Sequence, residues 1–227
     1  MKLNTERFSG IFQVPQFYPI AVIGAGGIGA DVIITAGKMG FTEIVVYDDD
    51  VVDEINIATQ FHKISDIGIP KVNAIYEASR EYSGAMIYPY QERVVPETNF
   101  PFPVEVVISA VDSIKARQDI WKSILNTIED VEGPRWYIDC RMAAMEFQMY
   151  VVDLNKARVI YEYGNRLLSI SDDDVEDLVC TEKATTFCAK LAAAHVGAEL
   201  MHIVKNEAVS RFLVHNVDTQ FLHIRNL

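Results

Sequence analysis

Gly24, Gly26 and Gly29 stand in the run Gly24-Ala25-Gly26-Gly27-Ile28-Gly29, and Asp48 follows 19 residues after the last of them. In this spacing the first glycine allows a tight turn, the second lets a phosphate approach the backbone, and the third lets a helix pack closely on a strand. The N–H groups at the helix start then face an anion, and a carboxylate ending the next strand accepts ribose hydroxyls. The chemistry is nucleotide binding. On these residues alone a dinucleotide such as NAD comes first. A tight turn in an unrelated α/β protein would also show the glycines, but not the preceding apolar run, the following helix and an acid at this distance.

The residues after Asp48 point elsewhere. Asp48-x-Asp50-x-Val52, Asn56-x-x-x-Gln60 and Gly68-x-Pro70-Lys71-Val72 resemble the active-site run of the ThiF–MoeB–ubiquitin-activating enzyme family. Val106 to Ser113, followed by Arg117, resembles that family's strand ending in an aspartate. Cys180-Thr181-Glu182, before a helix of small residues, resembles its catalytic-cysteine segment. The resemblance spans about 20 to 205 in the family's motif order. It implies a Rossmann-like α/β fold, mostly parallel with an antiparallel extension. It also implies ATP and Mg²⁺ rather than NAD, and adenylation of the C-terminal carboxylate of a small ubiquitin-like or sulfur-carrier protein by a homodimer. A non-catalytic ATP-binding scaffold or heteromeric subunit of the family, and an NAD-dependent oxidoreductase, are the alternatives.

The resemblance gives each residue a role. Gly24, Gly26, Gly27 and Gly29 cradle phosphate, Asp48 holds the ribose, and Asp50 is a second polar contact near it. Asn56 touches phosphate, Gln60 belongs to the same run, and Lys71 places a point charge on the phosphates. Asp112 holds Mg²⁺, hard cations taking oxygen ligands, while Ser113 is available to cap the helix that follows. Cys180 is the candidate nucleophile, because a thiol before a helix N-terminus is acidified and thiolates attack activated acyl groups. A thioester or acyl-disulfide with the carrier follows from the family analogy. Two family arginines are missing: Thr59 and Gly10 stand in their places. A threonine cannot stabilise phosphate charge. Arg141 is the replacement candidate, since it follows a strand expected to end on the site side, and Arg117 is the second.

These residues need a sheet to gather them. Apolar runs and helical stretches predict strand 19–24, helix 27–39 and strand 43–48, a right-handed parallel unit. A long connection, 49–70, carries Asn56 and Gln60 to a helix over 70–82 that begins at proline. Strands at 85–90 and 104–111 and a helix over 113–127 follow. Then come strands at 136–139, 146–153 and 158–163, an acidic loop at 169–176, a helix over 183–204, and a hairpin of 212–216 with 220–224. In such sheets ligands bind beyond the carboxyl ends of the strands. The glycine loop, Asp48, Asp112 and the turn after Asp139 can therefore share one pocket.

Composition sets the outer bounds. A chain of 227 residues, half of them hydrophobic, suits one nucleotide-binding domain over 1–227. A net charge of −12 disfavours nucleic acid. No apolar run suggests a membrane span and the N-terminus shows no signal core, so no membrane partner is expected. Three scattered cysteines suit a reducing cytoplasm and cannot rebuild a paired zinc site. Thr5, Phe8, Ile11, Phe12 and Phe17 are expected to cover a core edge or a dimer partner.

Overall fold

The computed structural model describes residues 3–128, 133–172 and 184–226. Strands β1 (Ile20–Ile23), β2 (Glu43–Tyr47), β3 (Met86–Tyr90), β4 (Val106–Ser109), β5 (Trp136–Ala143), β6 (Glu146–Asp153), β7 (Ser210–Asn216) and β8 (Phe221–Asn226) form one sheet. Its order is β3-β2-β1-β4-β5-β6-β7-β8. The first five strands in that order run parallel, and β6, β7 and β8 continue it antiparallel. This is the expected mostly parallel sheet with an antiparallel extension.

Burial explains the parallel half. β1 and β4 are buried along their whole length, and apolar except for Ser109 at the end of β4, because helices cover both faces, as buried parallel strands require. On one face, α1 (Gly27–Met39), α2 (Lys71–Tyr82) and α5 (Thr186–Val204) pack over Ile20, Val22, Ile44 and Ile108. On the other, α3 (Ile114–Thr127) and α4 (Ala157–Leu168) cover Ala21, Val107 and Tyr137. Each fully buried isoleucine, Ile20, Ile33, Ile44 and Ile75 among them, contributes roughly 1.5–3 kcal/mol. α1 and α5 approach closely because Gly197 carries no side chain: a Cβ there would lie 3.2 Å from Met39 Sδ and 3.3 Å from Thr35 Cγ2.

Register positions the site. Ile23 lies opposite both Tyr47 and Ser109, so β1, β2 and β4 end level. Gly24, Asp48 and Ala110 therefore leave the same edge of the sheet. Strand order reverses between β1 and β4, which makes this edge the switch point where ligands bind.

Two expectations need correction. Residues 158–163 are not a strand but lie inside α4. Their β-branched and aromatic content suggests a strand, yet Val159, Tyr163 and Leu167 recur every four residues and are buried, together with Gly164. Gly164 lets that helix close on Trp121, whose Nε1 would meet a Cβ there at 3.0 Å. α5 is long and apolar enough, by length and composition, to cross a membrane, although no span was expected. Half of it is buried inside the protein, as a core helix would be. In the N-terminal segment Val14 and Tyr18 pack on the core while Ile11 and Phe17 are each 60 % exposed. The terminal hairpin forms as expected.

Candidate active site

The glycine loop is shaped by contacts that tolerate no side chain. Gly24 has φ +96°, and a Cβ on it would sit 2.7 Å from the Ala110 carbonyl oxygen; one on Gly29 would sit 1.8 Å from that of Gly24. At Gly26, by contrast, the nearest atom to a Cβ is Gln60 Nε2 at 3.8 Å, which leaves the backbone open to a ligand. No side chain caps α1 at Gly26, so its first N–H groups point outward, an anion site built of backbone.

Asp48, half-buried at the end of β2, closes on this loop. Its carboxylate accepts from the Ala25 amide at 2.6 Å and the Asp50 amide at 2.8 Å. Burial pushes its pKa up, against the Ala25 and Asp50 amides and the Lys71 charge, which pull it down. Lys71, at the start of α2, is buried and donates to Asp50 at 2.6 Å. Asn56 turns inward: its Oδ1 accepts from the Asp53 amide and caps a short 3-10 turn. Gln60 lies beside Gly26, and its Oε1 is buried without a hydrogen-bond partner among the described residues. The Thr59 carbonyl oxygen lies 3.6 Å from where a Gly27 Cβ would stand.

At the end of β4, Ser113 caps α3 by accepting from the Ala116 amide, and Asp172 accepts from the Ile114 and Lys115 amides. Capping is thus done without Asp112, which is exposed. Beneath it lies a buried charge network. Arg117 donates to the Asp139 carboxylate and the Val111 carbonyl, and to the Cys140 carbonyl at 2.8 Å. Arg141 grips the same carboxylate through Nε at 2.9 Å and Nη2 at 2.7 Å, and the Tyr163 hydroxyl donates to it at 2.8 Å. Burial raises the Asp139 pKa, but the Arg117 and Arg141 guanidiniums outweigh it and hold the carboxyl below its ordinary range.

This network engages both candidates for the missing charge. Arg141 and Arg117 are committed to Asp139, and Arg141 also stacks over Tyr150, 5.2 Å from the ring centroid. Side chains alternate along β5, so Met142 faces Gly27, 3.4 Å from an added Cβ, while Arg141 turns to the opposite face. Cys180 lies outside the described residues. Cys140 and Cys188 are core residues; burial raises both thiols, Cys188 to about 11, which suits packing rather than attack.

Three contacts were not legible. His62 Nε2 meets the Ala25 carbonyl at 3.0 Å, bracing the loop from behind. Arg93 pairs with Asp49 at 2.8 Å beside the acidic strand end. Lys190 pairs with Asp31 of α1 at 3.0 Å. A lone histidine or lysine carries no motif, and only the folded chain puts these beside the glycines.

The donor set suits ATP: an uncapped helix start, a carboxylate beside it for a ribose, a lysine at the next helix, and an orphaned amide oxygen on Gln60. An acid freed from capping suits a divalent cation.

Comparison with known proteins agrees with this geometry. The profile of the ThiF family matches residues 16–226. A ubiquitin-activating enzyme E1-like protein of Saccharomyces cerevisiae is 30 % identical over 106 residues, covering 44 % of this chain and 17 % of that protein. The NEDD8-activating enzyme E1 catalytic subunit of Arabidopsis thaliana is 32 % identical over 111 residues, covering 48 % and 24 %. The SAMP-activating enzyme E1 of Haloferax volcanii is 32 % identical over 118 residues, covering 50 % and 42 %. The matching part is thus well under half of each of these relatives. Among solved structures, E. coli MccB with ATP superposes with a TM-score of 0.66 at 14 % identity, covering 92 % of this chain and 63 % of that one. PaaA superposes with a TM-score of 0.68 at 13 % identity, covering 92 % and 64 %. At these identities the likeness is one of fold.

Proposed function

This chain belongs to the ThiF family, and on that premise we propose that it is an ATP-dependent adenylyltransferase acting on the C-terminal carboxylate of a small ubiquitin-like or sulfur-carrier protein. The observation that carries the proposal is the convergence at the β1/β4 switch point. The uncapped start of α1, the Asp48 carboxylate on the Ala25 amide, and Lys71 on Asp50 arise from separate elements and meet at one strand-end surface. Asp112 lies on that surface too.

The residues divide the reaction. Asp48 exchanges its backbone partners for ribose hydroxyls. The first amides of α1 hold the phosphates and stabilise charge that grows as the carrier carboxylate attacks the α-phosphorus and pyrophosphate departs. Lys71 supplies fixed positive charge at that group. Asp112 is the residue that would hold Mg²⁺, whose contribution is charge neutralisation at the phosphates. Cys180 is the residue whose thiolate would attack the acyl-adenylate, forming a thioester as the acyl–phosphate bond breaks and AMP leaves. The protein is taken to work as a cytoplasmic homodimer of one domain.

A second reading, an ATP-binding scaffold without turnover, is favoured by one observation: Arg117 and Arg141 are both spent on Asp139, and Thr59 gives no charge. Calorimetric titration with Mg·ATP and with NAD, on wild type and Asp112→Ala, tests the binding half of the proposal. Mg·ATP is expected to bind, NAD not to, and the variant to lose the Mg-dependent part. Preferential NAD binding would sink it. Transfer of labelled AMP to a carrier with a free C-terminal carboxylate separates enzyme from scaffold.

A further inference from the structure

We propose that Lys190 supplies the triphosphate-facing positive charge that Thr59 does not; this rests on the ATP reading above. Lys190 lies in the first turns of α5, a helix that packs along α1. Its neighbour Ala189 reaches within 4.0 Å of an added Cβ on Gly27, the first residue of α1. Its ammonium sits 5.5 Å from the ring centroid of Phe61, the residue after Gln60, which itself borders Gly26. The lysine thus stands between the two segments that flank the phosphate cradle.

Its ion-pair partner sharpens the case. Asp31 is buried and lies one turn into α1, about 6 Å along the axis from Gly27. A carboxylate there opposes the helix's attraction for phosphate unless a cation balances it. Lys190 does so at 3.0 Å while its own side chain stays 57 % exposed. A long, flexible, largely solvated lysine can keep its stem over Phe61 and turn its ammonium toward a triphosphate, something the buried Arg117 cannot do. The missing family charge is then supplied from α5 rather than from the 56–60 run.

The test is calorimetric titration of Mg·ATP and of AMP into wild type, Lys190→Met, Lys190→Arg and the double variant Asp31→Asn/Lys190→Met, with thermal unfolding of each. Methionine keeps the stem and removes only the charge. Lys190→Met should weaken Mg·ATP about ten- to a hundredfold, the range for a hydrogen bond to a charged group, and AMP less than about threefold. Lys190→Arg should stay near wild type, and the double variant should remain weak for ATP. Wild-type ATP affinity in Lys190→Met would overturn the assignment, as would equal losses for ATP and AMP. Recovery of ATP affinity in the double variant would also overturn it, reducing Lys190 to a counter-ion for Asp31. Wild-type protein that binds no ATP would instead overturn the ATP reading, and this inference with it.

Discussion

Replacing Asp139 with asparagine keeps the shape of the side chain and removes its charge. The carboxylate is fully buried; the Arg117 side chain is 5 % exposed and that of Arg141 20 %. Removing one partner of a buried pair leaves an uncompensated charge in a medium that solvates it poorly, at a cost of about 3–5 kcal/mol. Arg141 can turn toward solvent, so the cost falls mainly on Arg117. For a chain of this size about 2–4 °C of Tm accompany each kcal/mol, so Asp139→Asn should melt about 6–20 °C below wild type. Urea unfolding should show the same loss with an unchanged m-value. The pH dependence has a definite sign. Because Arg117 and Arg141 hold the folded carboxyl below its ordinary value, its contribution is complete above the unfolded value, about 4, and is lost as pH falls through the folded one. Asp139→Asn should lack that acid-side loss, so the two proteins converge in stability in strong acid. Arg117 also holds the Val111 carbonyl next to Asp112, so Mg·ATP affinity should fall alongside stability. A loss below about 1 kcal/mol at neutral pH, or a gap between the proteins that stays constant down to pH 2, would refute the reasoning.

Further expectations follow from single contacts. Gly29→Ala drives a Cβ to 1.8 Å from the Gly24 carbonyl and should abolish soluble folded protein or nucleotide binding, whereas Gly10→Ala meets nothing within 4 Å and should be silent in both assays. His62 is buried, which lowers its pKa below 6.5 despite the Ala25 carbonyl. Stability from the neutral ring should therefore be complete above about pH 6.5 and decline as pH falls. An NMR titration midpoint at or above 6.5 would contradict this. Gly164→Ala sets overpacking against the buried Trp121, Nε1 at 3.0 Å from the new Cβ and about 1–3 kcal/mol, against the gain of about 0.5–1 kcal/mol for alanine inside a helix. The urea midpoint should therefore fall by the difference; a midpoint above wild type would show that Trp121 yields without penalty.

The β-α-β start of the chain is legible because its signals are local. An apolar run, glycines at fixed spacing and a terminal acid each act on their own neighbours, and the loop, Asp48 and α1 fall where the sequence places them. α4 is not legible from propensity, since Val159, Ile160 and Tyr161 favour strands; burial on Trp121 decides the matter, and burial is a tertiary fact. The fate of the arginines is illegible for a related reason. Nothing near Arg117 in the sequence says that a carboxylate 22 residues on will claim it. The parity of β5 that sends Arg141 away from Met142 depends on where the strand starts. Lys190 reads as one polar position in an apolar helix until α5 is laid along α1.

The carboxylate of Asp48 on the Ala25 amide also bears on thermodynamics. The loop around Gly24 already has its working shape, held by a partner from its own chain, so the entropy of ordering it is spent when the protein folds. A nucleotide bound here would replace one set of hydrogen bonds with another, and this loop would not have to be ordered at the moment of binding. The heat-capacity change of association should accordingly be that of the surface the nucleotide itself buries, without the larger negative contribution that accompanies folding on binding.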